Sequence, residues 1–269
     1  MRHLFNQHQA NNLFRFTLAT LIGCCVLLSG CVTGKATGPL PYLREQGDFF
    51  MQAGIESYTR YNFSLANEQF IQAKNFYSRF DDYLGTTHAL LNLAQVQIAS
   101  GRFNIAREYL TKADVLIKQH KLEQPAIYHD VLLTNLYLAT DKLADAETVF
   151  IKYDPLLRGN IADATTLALL VNRVRLAQLS DKDFSNWLDF LTQQTTRLSN
   201  AEYATRLQRF NAWQAFLVND SVLGNQLFGT AMDTYRGQAN PTGLMSTQLE
   251  WADACGKASD WTHAIEHYE

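Results

Sequence analysis

Near the end of the 269-residue sequence stands His263-Ala264-Ile265-Glu266-His267. Two imidazoles four residues apart share one face of a helix and can grip a zinc ion. Glu266 between them is the residue type that polarises a metal-bound water. Elsewhere the chemistry is sparse. There is no G-x-S-x-G, no glycine-rich phosphate loop and no paired-cysteine motif. Asp81-Asp82 and Asp181-Lys182-Asp183 sit where helices should begin, where carboxylates cap free amides and favour the dipole, so they read as caps rather than a catalytic pair.

Positioning any of these groups falls to a pattern that begins around Gly101. A helix is expected over Thr87–Ala99, with Leu90, Leu91, Leu93, Ala94 and Ile98 at three- and four-residue steps. It should stop at Ser100-Gly101, and a second helix from about Asn104 to Ile117 shows Ala106, Leu110, Ala113 and Leu116 on one face. Forty residues upstream, Phe63, Ala66 and Phe70 repeat the landmarks Phe103, Ala106 and Leu110; forty downstream, Leu143, Ala146 and Phe150 do so again. Antiparallel helix pairs follow, with the small alanines letting the backbones come close.

These landmarks resemble a tetratricopeptide repeat (TPR), whose usual period is ~34 residues. Longer helices would absorb the six extra. That is similar to the repeats of kinesin light chain, where an acidic residue and a glycine precede the first helix, as Asp82 and Gly85 do here. The resemblance implies an all-α, TPR-like α-solenoid, with three clear repeats over 46–160 and divergent ones over 161–269. In the divergent part, Ala164–Leu179 pairs with Lys182–Leu198, where Trp187 stands at the alanine position and should splay the pair. Glu202–Leu217 pairs with Ser221–Tyr235, and a last pair carries Ala252, Trp261, Ala264 and Tyr268. Pro125 and Pro155 are expected in connections.

The resemblance also implies a concave partner-binding groove on the first helix of each pair. Its positions are Met51, Ile55 and Tyr58, then Leu91, Gln95 and Ile98, then Tyr128, Val131, Asn135 and Leu138, then Arg209, Trp213 and Phe216. This set is apolar and aromatic with few amides, and some of it can equally be inter-repeat core. It lacks the Lys, Asn and Arg of dicarboxylate-clamp repeats, so an amphipathic helix or extended segment is expected rather than an acidic C-terminus.

His263-Ala264-Ile265-Glu266-His267 matches the H-x-x-E-H pattern of inverzincin metallopeptidases. That resemblance implies a third ligand well downstream, whereas the sequence reads only to Glu269. Ala264 and Tyr268 are repeat landmarks, which makes His263 and His267 ordinary helix positions. The expectation is a non-enzyme with no metal and no cofactor, zinc hydrolysis being the rival.

The first thirty residues are of another kind. Arg2 and Arg15 are their only charges, and Phe16–Gly30 is almost unbroken apolar sequence, shorter than the ~20 residues a membrane span needs. A basic start, a short apolar middle and small residues at the end read as a secretory signal over 1–30. Leu28-Ser29-Gly30-Cys31 resembles the lipobox of bacterial lipoproteins, which implies a lipid on Cys31. Leu21-Ile22-Gly23-Cys24 is the rival site, but it would leave too short an apolar region. Val32, in place of Asp, favours by the family pattern the periplasmic face of the outer membrane. Residues 31–45, rich in Gly, Thr and Pro, should be a non-helical tether.

Losing Arg2 and Arg15 moves the formal net charge from −3 to −5, and no basic stripe is present, which disfavours nucleic acid. Of four cysteines, Cys24 and Cys25 leave with the signal and Cys31 is lipidated, so Cys255 stands alone. Trp261, Ala264, Ile265 and Tyr268 form an apolar face expected to seek a partner or a second copy of the chain. In organisation the chain is similar to envelope TPR lipoproteins that organise peptidoglycan-remodelling enzymes or pilus and secretin assembly. The implied role is a scaffold for envelope proteins, with a pilotin-like escort of secretins as the narrower alternative.

Overall fold

Residues 39–161, 163–198 and 201–268 are described by the structure, a computed structural model; residues 1–38, with the signal segment, the lipobox and Cys31, lie outside them. Among the described residues thirteen helices follow one another: α1 Pro39–Thr59, α2 Phe63–Ser78, α3 Tyr83–Ala99, α4 Phe103–His120, α5 Glu123–Ala139, α6 Leu143–Ile151, α7 Asp154–Leu157, α8 Ala164–Leu179, α9 Ser185–Leu198, α10 Ala201–Leu217, α11 Ser221–Gly237, α12 Pro241–Lys257 and α13 Trp261–Tyr268. No strand occurs among the described residues. From α2 to α6 and from α7 to α13 each helix packs on the next in sequence, and alternate helices meet as well, α3 against α5, α6 against the later α8, and α10 against α12. That is the connectivity of a solenoid, in which each repeat buries its core against the next.

The period has a backbone cause. Tyr61, Asp81, Gly101, Lys121 and Asp141 all take the left-handed conformation, twenty residues apart. Asp181, then Asn219, Ala239 and Ser259, continue the series. In every one of these turns the next residue's N–H returns to the carbonyl five positions back, as from Asp82 to Tyr77, Arg102 to Gln97 and Asn240 to Tyr235. This six-to-one bond satisfies a carbonyl that the helix end would leave open. Both kinds of connection, within a pair and between pairs, therefore use one turn. Two helices with their turns make forty residues, which is where the excess over the usual repeat goes.

Helix starts are fixed by short polar side chains. Asn62, Asp82, Asp220 and Asn240 each accept a hydrogen bond from the N–H three residues on, at 3.2, 2.8, 3.0 and 2.7 Å. Two expectations are corrected at prolines. Residues 39–45 are the first two turns of α1 and not tether, because Pro39 stands at a helix start, where its missing N–H has no partner to lose. Pro125 and Pro155 likewise lie in the first turns of α5 and α7 rather than in connections.

The expected core register is present. Ala66, Ala106 and Ala146 are fully enclosed, as are Phe70, Leu110 and Phe150 one helical turn later. Tyr77 shows how close the pairs approach: a Cβ at Gly47 or Gly85 would fall 2.7 or 2.6 Å from its ring, and its hydroxyl donates to Asp48 Oδ1 at 2.6 Å. The regular interval breaks after α6, where the one-turn α7 and the residues that follow it bury Leu157 and Ile161, and again between Asp181 and Asn219, which stand 38 residues apart. At the divergent pair, Phe184 and Leu191 are core. Trp187, at the alanine position, turns half outward under the guanidinium groups of Arg158 and Arg173, 4.6 and 5.1 Å from its ring.

Candidate functional site

The first helices of the pairs, α1, α3, α5, α8, α10 and α12, present their inner faces to one cavity of about 990 Å³. Ile55 and Tyr58 of α1 and Ser246 and Glu250 of α12 line the same space. The solenoid has therefore coiled far enough for its first and last pairs to wall a common cavity.

Seven of the thirteen expected groove positions fall on this cavity. Ile55, Tyr58, Gln95, Tyr128, Asn135 and Leu138 line the cavity, and so does Arg209. The other six do not. Leu91, Val131, Trp213 and Phe216 are buried in core, and Ile98 packs against the core formed by α3, α4 and α5. Met51 packs between cores, its sulfur 3.1 Å from Asn92 Nδ2. An apolar side chain at such a position gains more from packing against the next helix than from lining a wet channel. Trp213 marks a turned helix. It stands six residues before the left-handed Asn219, as Gln95 stands six before Gly101, yet α10 turns it inward and presents Arg206, Arg209 and Phe210 instead.

One side of the cavity is an array of amides and phenols. Tyr128 donates through its hydroxyl to Gln95 Oε1 at 2.8 Å and more weakly to Asn92 Oδ1 at 3.4 Å. Burial pushes the Tyr128 phenol well above its ordinary range, so it remains a donor. Asn172 Nδ2 donates to the Val131 carbonyl at 3.1 Å and Thr134 Oγ1 at 2.9 Å. Asn135, which lines the same cavity, makes no side-chain hydrogen bond among the described residues, so its amide keeps two donors and an acceptor.

The other side is ionic. Glu250 is buried, and its Oε1 receives Arg175 Nη1 at 2.9 Å and Arg209 Nη2 at 2.7 Å. Its Oε2 receives Arg209 Nε at 2.9 Å, making that pair bidentate. Burial opposes ionisation of Glu250, but the charges of Arg175 and Arg209 outweigh it and hold the carboxyl below its ordinary range. Burial likewise works against the Arg209 charge, and Glu250 and Tyr235 more than restore it. The expected groove of apolar and aromatic residues with few amides is thus corrected on this side.

Sequence reasoning missed Asn92, Asn172, Arg175, Arg206 and Glu250. The turn series locates most of them, but it is a feature of the backbone that the sequence marks only at Gly101. Asn92, Asn172 and Glu250 each stand nine residues before a left-handed residue, and Arg175 stands six before Asp181.

The two histidines of the H-x-x-E-H run have other occupations. His263 Nδ1 lies 2.6 Å from Asp260 Oδ2, and that hydrogen bond raises its pKa. His267 stacks on the Trp251 indole with centroids 4.0 Å apart, and burial lowers its pKa. Among the described residues, no group of three His, Cys, Asp or Glu side chains could hold a metal ion. On that same last helix Ala264 is buried while Trp261 and Ile265 stay exposed. No helix among the described residues is long and apolar enough to cross a membrane.

No protein-family model matches the sequence, and neither does any curated protein. Nineteen chains among the solved structures match. One is the apo crystal form of RapI, a TPR-like helical repeat protein, with a TM-score of 0.63 and 13% sequence identity over 95% of this chain and 92% of that one. At such identity the likeness speaks for the fold, and with the helix pairing above it makes this chain a TPR-like α-solenoid.

Proposed function

We propose that the protein is a lipid-anchored adaptor of the bacterial cell envelope that holds a polypeptide segment of a partner protein in its inner cavity. The observation that carries the binding half is the cavity wall: the Asn135 amide, without a side-chain hydrogen bond among the described residues, lines the same space as Tyr128 and Asn172, and helices α1 and α12 wall that space too. Primary amides offer a donor and an acceptor side by side, the complement of a peptide group. The anchoring half rests on the sequence alone, on the apolar Phe16–Gly30 run and on Leu28-Ser29-Gly30-Cys31. On this reading the protein is a scaffold on the periplasmic face of the outer membrane.

Two measurements test the reading separately. Cells fed labelled palmitate should label the wild-type protein and not Cys31→Ser, which should accumulate unprocessed or leave the membrane fraction. Labelling of that variant as strong as wild type would defeat the anchor. A photo-reactive amino acid in place of Leu138 should cross-link to envelope proteins, whereas one at the convex Ile151, an exposed residue of α6, should not. Equal yields from both positions would remove the cavity from partner binding.

A further inference from the structure

One packing step recurs along the solenoid. The groove between the inner and outer helix of a pair receives the next inner helix: α5 lies on α3 and α4, α8 on α5 and α6, and α12 on α10 and α11. The groove between α12 and α13 receives none among the described residues. Its exposed side chains stand at positions that are covered elsewhere. Ten residues before the left-handed turn, Leu91, Val131 and Val171 are buried, whereas Leu249 is 46% exposed. Fourteen before it, Thr87 and Leu167 are buried, whereas Met245 is 63% exposed. On four outer helices the sixth residue after the turn reaches the next inner helix. Asn67 accepts from Gln97 Nε2 at 2.7 Å, and Asn225 accepts from Trp251 Nε1 at 2.7 Å. Glu147 pairs with Arg173 at 3.1 Å, and the Arg107 guanidinium lies over the Tyr137 ring. On α13 that sixth residue is Ile265, exposed like Trp261 one turn before it. Met245, Leu249, Trp261 and Ile265 are thus the apolar walls of an unfilled repeat step.

We propose that this groove is a docking site separate from the cavity, and that an amphipathic helix of another protein occupies it in the place of a next inner helix. Inner helices already seated define that helix's chemistry. On α3, Gly85 lies against the Tyr77 ring of α2, Ala89 packs with Ala73 and Tyr77, and Leu93 and Val96 pack with Ala66 and Phe70. On α12, Gly243 and Trp251 have the same eight-residue spacing and meet Tyr235 and Phe228 of α11. The incoming helix therefore carries a glycine or alanine in its first turn, then apolar residues four, eight and eleven positions on. A second copy of this chain fits poorly. Its α1 has Glu45, Phe49, Ala53 and Glu56 at the four positions, and would bring two carboxylates into an apolar groove. A two-fold pairing would set groove against groove and fill neither.

The test uses a fluorescent peptide the length of α3, seventeen residues, that keeps the Gly85, Ala89, Leu93 and Val96 face and carries Lys and Glu elsewhere. Anisotropy is measured against the full-length protein in phospholipid nanodiscs. Wild type should bind the peptide, and Met245→Glu and Ile265→Glu should each weaken binding about tenfold or more. Val115→Glu, at an exposed site on α4, should leave binding unchanged. The same peptide with Glu in the Leu93 position should not bind. Matched melting curves show that the variants keep their fold; if one of the two groove variants does not, the other decides. No binding to wild type, or equal binding to the groove variants, would overturn the proposal and leave the cavity reading untouched. A photo-reactive amino acid at Leu249 then identifies the occupant. Capture of the peptide supports the proposal, and capture of a second copy or of lipid in its place overturns it.

Discussion

The ring of Tyr235 lies against the backbone of Gly243, eight residues on and across the turn, where a Cβ would come within 2.5 Å of the ring. Tyr77 with Gly85 and Phe216 with Gly224 have the same relation at 2.6 and 2.5 Å. An aromatic residue ending one helix is thus accommodated by a glycine in the first turn of the next, and the hydrogen-bonded turn between them fixes the approach. Tyr235 is buried, so its ring cannot swing aside into water.

Gly243→Ala should therefore destabilise the protein by ~1–3 kcal/mol through overpacking. Gly229 is the control, in mid-α11 with open space where its Cβ would be. Gly229→Ala should stabilise by ~0.5–1 kcal/mol, since the helix there pays only the entropy of glycine. Urea unfolding midpoints moving in opposite directions would bear this out; two equal shifts would mean the close approach does not limit packing.

Ala239 tests the turn itself. It holds φ at 49°, while Gly101 does the same work elsewhere with no side chain to strain. A left-handed alanine costs ~1–2 kcal/mol, so Ala239→Gly should stabilise, less what glycine adds to the freedom of the unfolded chain. A gain of about 1 kcal/mol in unfolding free energy is expected. A loss would show that the left-handed residue is not strained.

What could be read from the sequence follows from how narrowly each position is constrained. Ala66, Ala106 and Ala146 are legible because a tight helix crossing admits few side chains. The twenty-residue turn is not, because Tyr, Asp, Gly, Lys, Asn, Ala and Ser all fill its left-handed position. There the backbone bond to the preceding helix does the selecting, and only Gly101 announces it. The cavity is half legible for a related reason. On an inner helix an apolar residue can turn to either the lumen or the next helix, and Trp213 and Val131 took the core. Polar residues such as Gln95 and Asn135 have one tolerable destination, and they line the cavity.

Cys255 offers a readout of global opening. It is a free thiol, wholly buried, and burial pushes its pKa up to about 11. Thiolate is the reactive form, so both access and ionisation oppose reaction. In the folded protein iodoacetamide should leave Cys255 unmodified at mildly alkaline pH, and modification should appear with unfolding in urea. Mass spectrometry after timed labelling measures it. Rapid modification in native buffer would mean that α12 and α13 open locally.

Glu250 ties stability to pH. Replacing it with Gln strands Arg209 and Arg175 beside a neutral group. Breaking a buried ion pair costs ~3–5 kcal/mol, and the lower end applies because the Arg175 side chain is 27% exposed. The carboxyl's folded pKa lies below its unfolded value, so its stabilisation is fully present above the unfolded pKa of ~4.3 and is lost as pH falls through the folded one. Asp130, also held low, is a second acid-sensitive group. It remains in both proteins and cancels in the comparison. The stability difference between wild type and Glu250→Gln should be constant from about pH 6 to 8 and shrink only below about pH 4.5. Unfolding free energies measured across that range decide the point: a gap that closes well above the carboxylate range would mean that Glu250 is not held ionised by its two arginines.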